Sequence, residues 1–211
     1  MKDQLLQALE WRYATKKYDS SFRLAPNVKE TIEQVLQLTP SSYGLQPLHY
    51  IWIEDKTLRE KTKTLAWNQS QIVDAGAVLV LCAQNDLTPS FLDQHADNMR
   101  DTRSMQEEQI KGFRSHLHSA IGQKSAADIK SWNGKQAYIA LGQLLTACAL
   151  LQLDATPMEG FDPAALDDLL ELKEKGLHSV LICTIGKRAA DDHYQQLKKV
   201  RRPKNSLFST R

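Results

Sequence analysis

Residues 135–160 read KQAYIALGQLLTACALLQLDATPMEG, and the reading of the fold turns on this stretch. Ala137, Tyr138, Leu141, Leu144, Leu145, Cys148 and Leu151 recur at three-and-four spacing, which predicts a helix over 135–153. Its opposite face is also poor in charge, so the helix needs cover on more than one side. Residues 155–160 follow, with Pro157-Met158-Glu159-Gly160 where a strand is expected to hand over to a helix; a short acidic helix near 163–170 and a strand over His178–Ile185 that stops at Gly186 come next.

Working back toward the N-terminus, Ala77–Ala83 is a continuous apolar run that suits a strand buried on both faces and central in a sheet. Leu48–Ile53 predicts another strand, with aromatic and β-branched residues. Helices are predicted at 2–11, at 58–67, and from Asn27, where Asn27 and Glu30 fit a capping box and Pro40 supplies the stop. Residues 87–123 are polar and helix-compatible, and read as an excursion from the core that lies over the active site. Strands and helices alternate, which implies an α+β domain built as a three-layer α/β/α sandwich. No repeat, low-complexity tract or linker divides the chain, so residues 1–211 are expected to form one domain.

Composition excludes several classes. With 27 Lys and Arg against 25 Asp and Glu, the net charge of +2 gives no basis for a dedicated nucleic-acid or membrane-surface protein. No stretch approaches the roughly 20 apolar residues of a membrane span, and Met1–Arg12 lacks the apolar core of a signal peptide. Cys82, Cys148 and Cys183 are odd in number and sit in apolar runs, the pattern of reduced, buried thiols. A cytoplasmic protein without a metal site is expected, because the six histidines lack partners at ligand spacing.

Two cation clusters need a local explanation. Arg12, Lys16 and Lys17 follow the first helix, where they can complement its dipole and stay solvated. Lys198, Lys199, Arg201, Arg202 and Lys204 lie near the C-terminus; in an extended segment Lys199 and Arg201 project to one side and suit a grip on a phosphate or carboxylate. A solvated tail and a nucleic-acid patch are the other readings. Gly160 would let main-chain amides approach a flat ligand, although a Glu-Gly pair is more often only a turn. Walker, dinucleotide and nucleophile-elbow motifs are absent.

In order along the chain, these segments resemble the nitroreductase family of FMN-dependent oxidoreductases, in its oxygen-insensitive NAD(P)H nitroreductase and quinone reductase branch. The carriers are Arg12-Tyr13-Ala14-Thr15-Lys16, Pro40 to Pro47, Trp67 to Gln71, Pro157 to Asp162, and Lys199-Val200-Arg201-Arg202-Pro203. The resemblance implies a mixed, mostly antiparallel sheet wrapped by helices, in an entangled homodimer with two FMN sites, each built from both chains. Arg12, Lys199 and Arg201 would hold the FMN phosphate. Tyr13 and Ala14 would line the site, with Lys16, Asn68 and Gln71 near the pyrimidine edge. Pro157 and Met158 would lead to Glu159 and Gly160, which would offer main-chain amides to the N5 side, while Pro40, Ser41, Ser42 and Gly44 would come from the partner subunit. Tyr43 and Phe113 would contact the acceptor.

The resemblance further implies that NADH or NADPH reduces the flavin and that a small nitroaromatic or quinone takes the place the nicotinamide leaves, a ping-pong scheme with no catalytic side chain. A flavin, enone or dihydropteridine reductase is the second reading, and a non-catalytic flavin- or nucleic-acid-binding protein a distant third. Two positions depart from the family pattern: Ala14 where Ser is frequent, and Gln71 where a second flavin-facing Lys is frequent. The missing cation implies a lower flavin reduction potential, which Gln71→Lys would raise.

Overall fold

The computed structural model covers residues 1–211. Four strands, β1 (Leu48–Trp52), β2 (Ala77–Gln84), β3 (Asp154–Met158) and β4 (Leu177–Gly186), form one sheet in the order β1-β2-β4-β3. All three pairings are antiparallel, which narrows the expected mixed sheet to one hand of pairing. β2 is internal, as its unbroken apolar run predicts: seven of its eight residues are buried.

Eight helices surround the sheet: α1 (Lys2–Trp11), α2 (Pro26–Gln37), α3 (Lys56–Leu65), α4 (Gln71–Asp74), α5 (Pro89–Thr102), α6 (Glu107–Gly122), α7 (Ala126–Leu150) and α8 (Pro163–Leu169). The period of two along the strands sorts their side chains into two cores. Leu79, Leu81, Leu181 and Cys183 face α2 and α7, where they meet Ile32, Leu36, Leu141 and Leu144. Val78, Val80, Cys82 and Ile182 face the other way, against Leu166, Leu172 and Phe161. Three layers result. The expected excursion is two helices, α5 and α6, with a small core of their own in which Leu92, Leu117 and Ile121 meet Ile129 of α7.

Three expectations are corrected. α7 begins at Ala126, nine residues before the predicted start, because Ser125 caps it by accepting from the Asp128 N–H at 3.2 Å. Asn27 caps nothing: Ala25 holds the cap position and Pro26 opens α2, its fixed φ already helical. Tyr138 and Leu151, counted on the inward face of the long helix, are instead 44% and 40% exposed.

Candidate functional site

Arg12 ends α1, and Lys199 reaches the same helix end from the C-terminal segment. The Lys199 Nζ donates to the Leu9 carbonyl at 2.8 Å and to the Arg12 carbonyl, two acceptors that a helix C-terminus leaves free. Arg201 stands close enough that its charge acts on both. None of the three has a carboxylate in ion-pair contact. Partial burial, then Arg201, lowers the guanidinium pKa of Arg12; partial burial, then Arg12 and Arg201, lowers that of the Lys199 ammonium. Like charges held together without an acid are the electrostatic complement of a phosphate.

The segment after Arg12 is tied down by two aspartates. Asp192, 1% exposed, accepts from the Lys16 N–H at 2.8 Å, the Lys17 N–H at 3.1 Å and the Tyr13 hydroxyl at 2.9 Å. Burial raises its pKa, these donors lower it, and the donors win. Asp154, at the start of β3, takes Arg188 side-on through Nη2 at 2.6 Å and Nε at 2.9 Å, while the Arg188 guanidinium lies between the Trp11 and Tyr13 rings. Tyr13 therefore spends its hydroxyl and its ring inside the protein. Thr156 of β3 donates to the Thr15 carbonyl at 3.0 Å, so residues 12–16 run beside the strand. Ala14 and Lys16 stay exposed, the Lys16 Nζ 5.9 Å from the Tyr194 ring centre.

Past the other end of β3, Gly160 meets the 67–69 turn. Trp67 and Asn68 are both left-handed, with φ of 53° and 56°, and a Cβ on Gly160 would stand 2.6 Å from the Trp67 ring. The Gln69 Nε2 donates to the Gly160 carbonyl at 2.9 Å. The N–H groups of Glu159 and Gly160 donate to nothing within the chain. Pro157 and Met158 pair with Cys183 and Ile182 in the sheet, and the Met158 side chain is core, so only its main chain is left to face a ligand. Gln71 opens α4, 8% exposed, with no side-chain hydrogen bond. The Tyr138 hydroxyl donates to the Glu159 carboxylate.

A third patch gathers residues 40–44. The Ser41 Oγ accepts from the Gln46 N–H at 2.8 Å, and the Ser42 N–H donates to the Gln136 Oε1 at 2.9 Å. Tyr43 and Gly44 are left-handed, with φ of 57° and 70°. The His95 Nε2 lies 3.1 Å from the Tyr43 carbonyl, and the His95 ring centre 6.0 Å from that of Phe113, so the two expected acceptor contacts converge on one histidine. Pro40 is exposed beside them. No hydrogen bond joins this patch to the other two, since Gln136 and Tyr138, two residues apart, leave α7 on different sides.

Asp192, Asp154, Tyr138 and His95 were not singled out by sequence reading, because each acts through a partner between 21 and 179 residues away or on a helix nothing had paired. The only available sign of Tyr138 was an aromatic hydroxyl on a helix otherwise short of polar groups. A cavity of about 470 Å3 on the far edge of the sheet, near Arg23 and Arg59, is unrelated to these patches; Arg59 there donates to the Ile53 and Ala75 carbonyls and so clamps the main chain. No group of three or more His, Cys, Asp or Glu could hold a metal, and no helix is long and apolar enough to cross a membrane.

The profile of the nitroreductase family matches residues 9–187. The chain is 29% identical over 206 residues to an oxygen-insensitive NAD(P)H nitroreductase of Enterobacter cloacae, covering 94% of this chain and 95% of that one. Among solved structures, a nitroreductase-like protein of Streptococcus mutans superposes with a TM-score of 0.87 at 17% identity, over 100% of this chain and 99% of that one. A protein of Exiguobacterium sibiricum solved in complex with FMN superposes with a TM-score of 0.83 at 16% identity, over 98% and 97%.

Proposed function

The chain belongs to the nitroreductase family, and from that premise we propose that it is an FMN-dependent oxidoreductase that draws on NADH or NADPH to reduce a small nitroaromatic or quinone-type acceptor. The observation that carries the reading is the pair of complementary features at the two ends of β3: a cation cluster with no carboxylate in ion-pair contact, and two unused N–H groups at Glu159 and Gly160. A strand rises about 3.3 Å per residue, so the ends of β3 itself, Asp154 and Met158, lie on the order of 13 Å apart.

FMN would supply the two-electron redox chemistry. The chain's residues bind and orient. Arg12, Lys199 and Arg201 neutralise the phosphate; Tyr13 and Asp192 hold the segment that carries Lys16; and Lys16, with Asn68 and Gln71, provides fixed positive or hydrogen-bonding groups where charge builds on reduction. Gly160 keeps a Cβ out of the Trp67 ring and so lets the 159–160 turn close on residues 67–69. Donor and acceptor use one face in turn, which gives ping-pong kinetics.

The working unit in this reading is a cytoplasmic homodimer of one-domain subunits. From Tyr138 to Leu150 the outward face of α7 carries Ile139, Gly142 and Thr146 and no charge, and the 40–44 patch lies on a different side of α7 from the Glu159 corner. A second copy across α7 would bring its Ser41, Ser42, Tyr43 and Gly44 to this chain's ring site, with Phe113 beyond them and α5–α6 lying over the acceptor.

The test is the absorbance spectrum of the purified protein before and after anaerobic addition of NADH or NADPH. A flavin band that bleaches is expected, together with FMN affinity that falls with salt and weakens at least tenfold in Lys199→Gln. Protein that is colourless and gains no flavin absorbance when FMN is added would overturn the reading.

A further inference from the structure

We infer that Tyr138 is a positioning residue for the Glu159–Gly160 turn: its hydroxyl, held on the rigid α7, anchors the Glu159 carboxylate and so aims the two free N–H groups toward the ring site. The inference rests on the FMN reading and goes beyond it, since it gives α7 a part in flavin binding within one chain.

The turn has two sides. On the Gly160 side, the carbonyl is held by Gln69 and the α-carbon sits beneath the Trp67 ring. On the Glu159 side, the main chain has one local contact, the Phe161 N–H donating to the Glu159 carbonyl at 3.0 Å, and the side chain has one partner, Tyr138. Glu159 is exposed and makes no ion pair, so without Tyr138 its side chain would be held by solvent alone and the peptide that follows by the Phe161 contact. Tyr138 is a firm anchor because its neighbours Ala137 and Leu141 are packed in the core below the helix. Its phenol has no other hydrogen-bond partner; partial burial, then the bond to Glu159, pushes its pKa up to about 12, which keeps the hydroxyl proton available to donate.

A bond between two half-exposed groups contributes little to global stability, because water replaces it when it breaks. What it sets is direction. Its loss is therefore expected in ligand binding and local dynamics rather than in melting temperature.

The experiment is a double-mutant cycle on FMN affinity, with amide hydrogen exchange of the flavin-free protein alongside. Tyr138→Phe and Glu159→Leu should each weaken FMN binding about tenfold with unchanged melting temperature. The double variant should be no worse than either, and Glu159→Gln, whose amide oxygen still accepts, should lose less than Glu159→Leu. Exchange at the Phe161 amide, which donates to the Glu159 carbonyl, should quicken in Tyr138→Phe before any flavin is added. Wild-type affinity in Tyr138→Phe, or simply additive losses, overturns the inference and leaves the FMN reading standing. A wild-type protein that binds no FMN overturns both. Should Tyr138→Phe fail to fold, Glu159→Leu against Glu159→Gln carries the test.

Discussion

Asp154 is 1% exposed, a burial that a carboxylate tolerates only with partners. It has Arg188 on both oxygens, the Arg188 N–H at 2.8 Å and the Thr15 hydroxyl at 3.2 Å. Removing one partner of such a pair strands the other, at a cost of about 3–5 kcal/mol. Asp154→Asn should therefore lower the unfolding free energy by that amount, read as a lower urea midpoint at unchanged slope; a midpoint equal to wild type would show that Arg188 is satisfied by the Trp11 and Tyr13 rings alone. Neither residue stands out in the sequence, since one acid and one base 34 positions apart are two charges among many. Arg12, Lys199 and Arg201 were legible because they come in clusters that a near-neutral chain does not otherwise explain.

The segment 12–18 is held against β3 less by its own residues than by Asp192, whose four donors include the Tyr194 N–H at 3.1 Å. Those donors outweigh burial and keep its folded pKa below the ordinary value of about 3.9. The sign follows. A depressed carboxylate pKa adds stability that is present above about pH 3.9 and is lost as the pH falls through the folded value. Asp192→Asn should be less stable than wild type at neutral pH, and the gap should narrow below pH 4, as read by thermal melts across pH 2–7. A gap of constant size would mean that Asp192 acts by shape rather than charge. Helices fared unevenly: residues 137–148 of α7 show their period, while 126–134 mix Lys130, Asn133 and Gly134 and hide it. The start of α7 is set by the Ser125 cap and by Ile129 meeting Leu117 and Ile121, contacts made only once α6 has folded beside it. α5 and α6 in turn are joined by Arg114 of α6, which reaches Asp97 of α5 at 2.9 Å while it also meets Glu107 of its own helix at 3.2 Å.

At the scale of the molecule, the proposed dimer would close across the outward face of α7 from Tyr138 to Leu150, which carries no charge. A charge placed at the centre of a buried interface costs several kcal/mol when unpaired. Ile139→Glu is expected to turn a dimer into a monomer by light scattering and to lose FMN with it; a variant that stays dimeric would remove α7 from the interface.

Most of the segments that become strands and helices, the sandwiching of the sheet between helices, and the two cation clusters that ask for a ligand were legible in the sequence. They depend on period, turn chemistry and charge imbalance, which are local or compositional. The antiparallel order β1-β2-β4-β3, the two buried aspartates that lock the 12–18 segment, the meeting of Tyr138 with Glu159, and the separation of the 40–44 patch from the rest were decided only by tertiary structure. Each is a pairing between distant residues, and a single chain of letters holds the partners but not the distance between them.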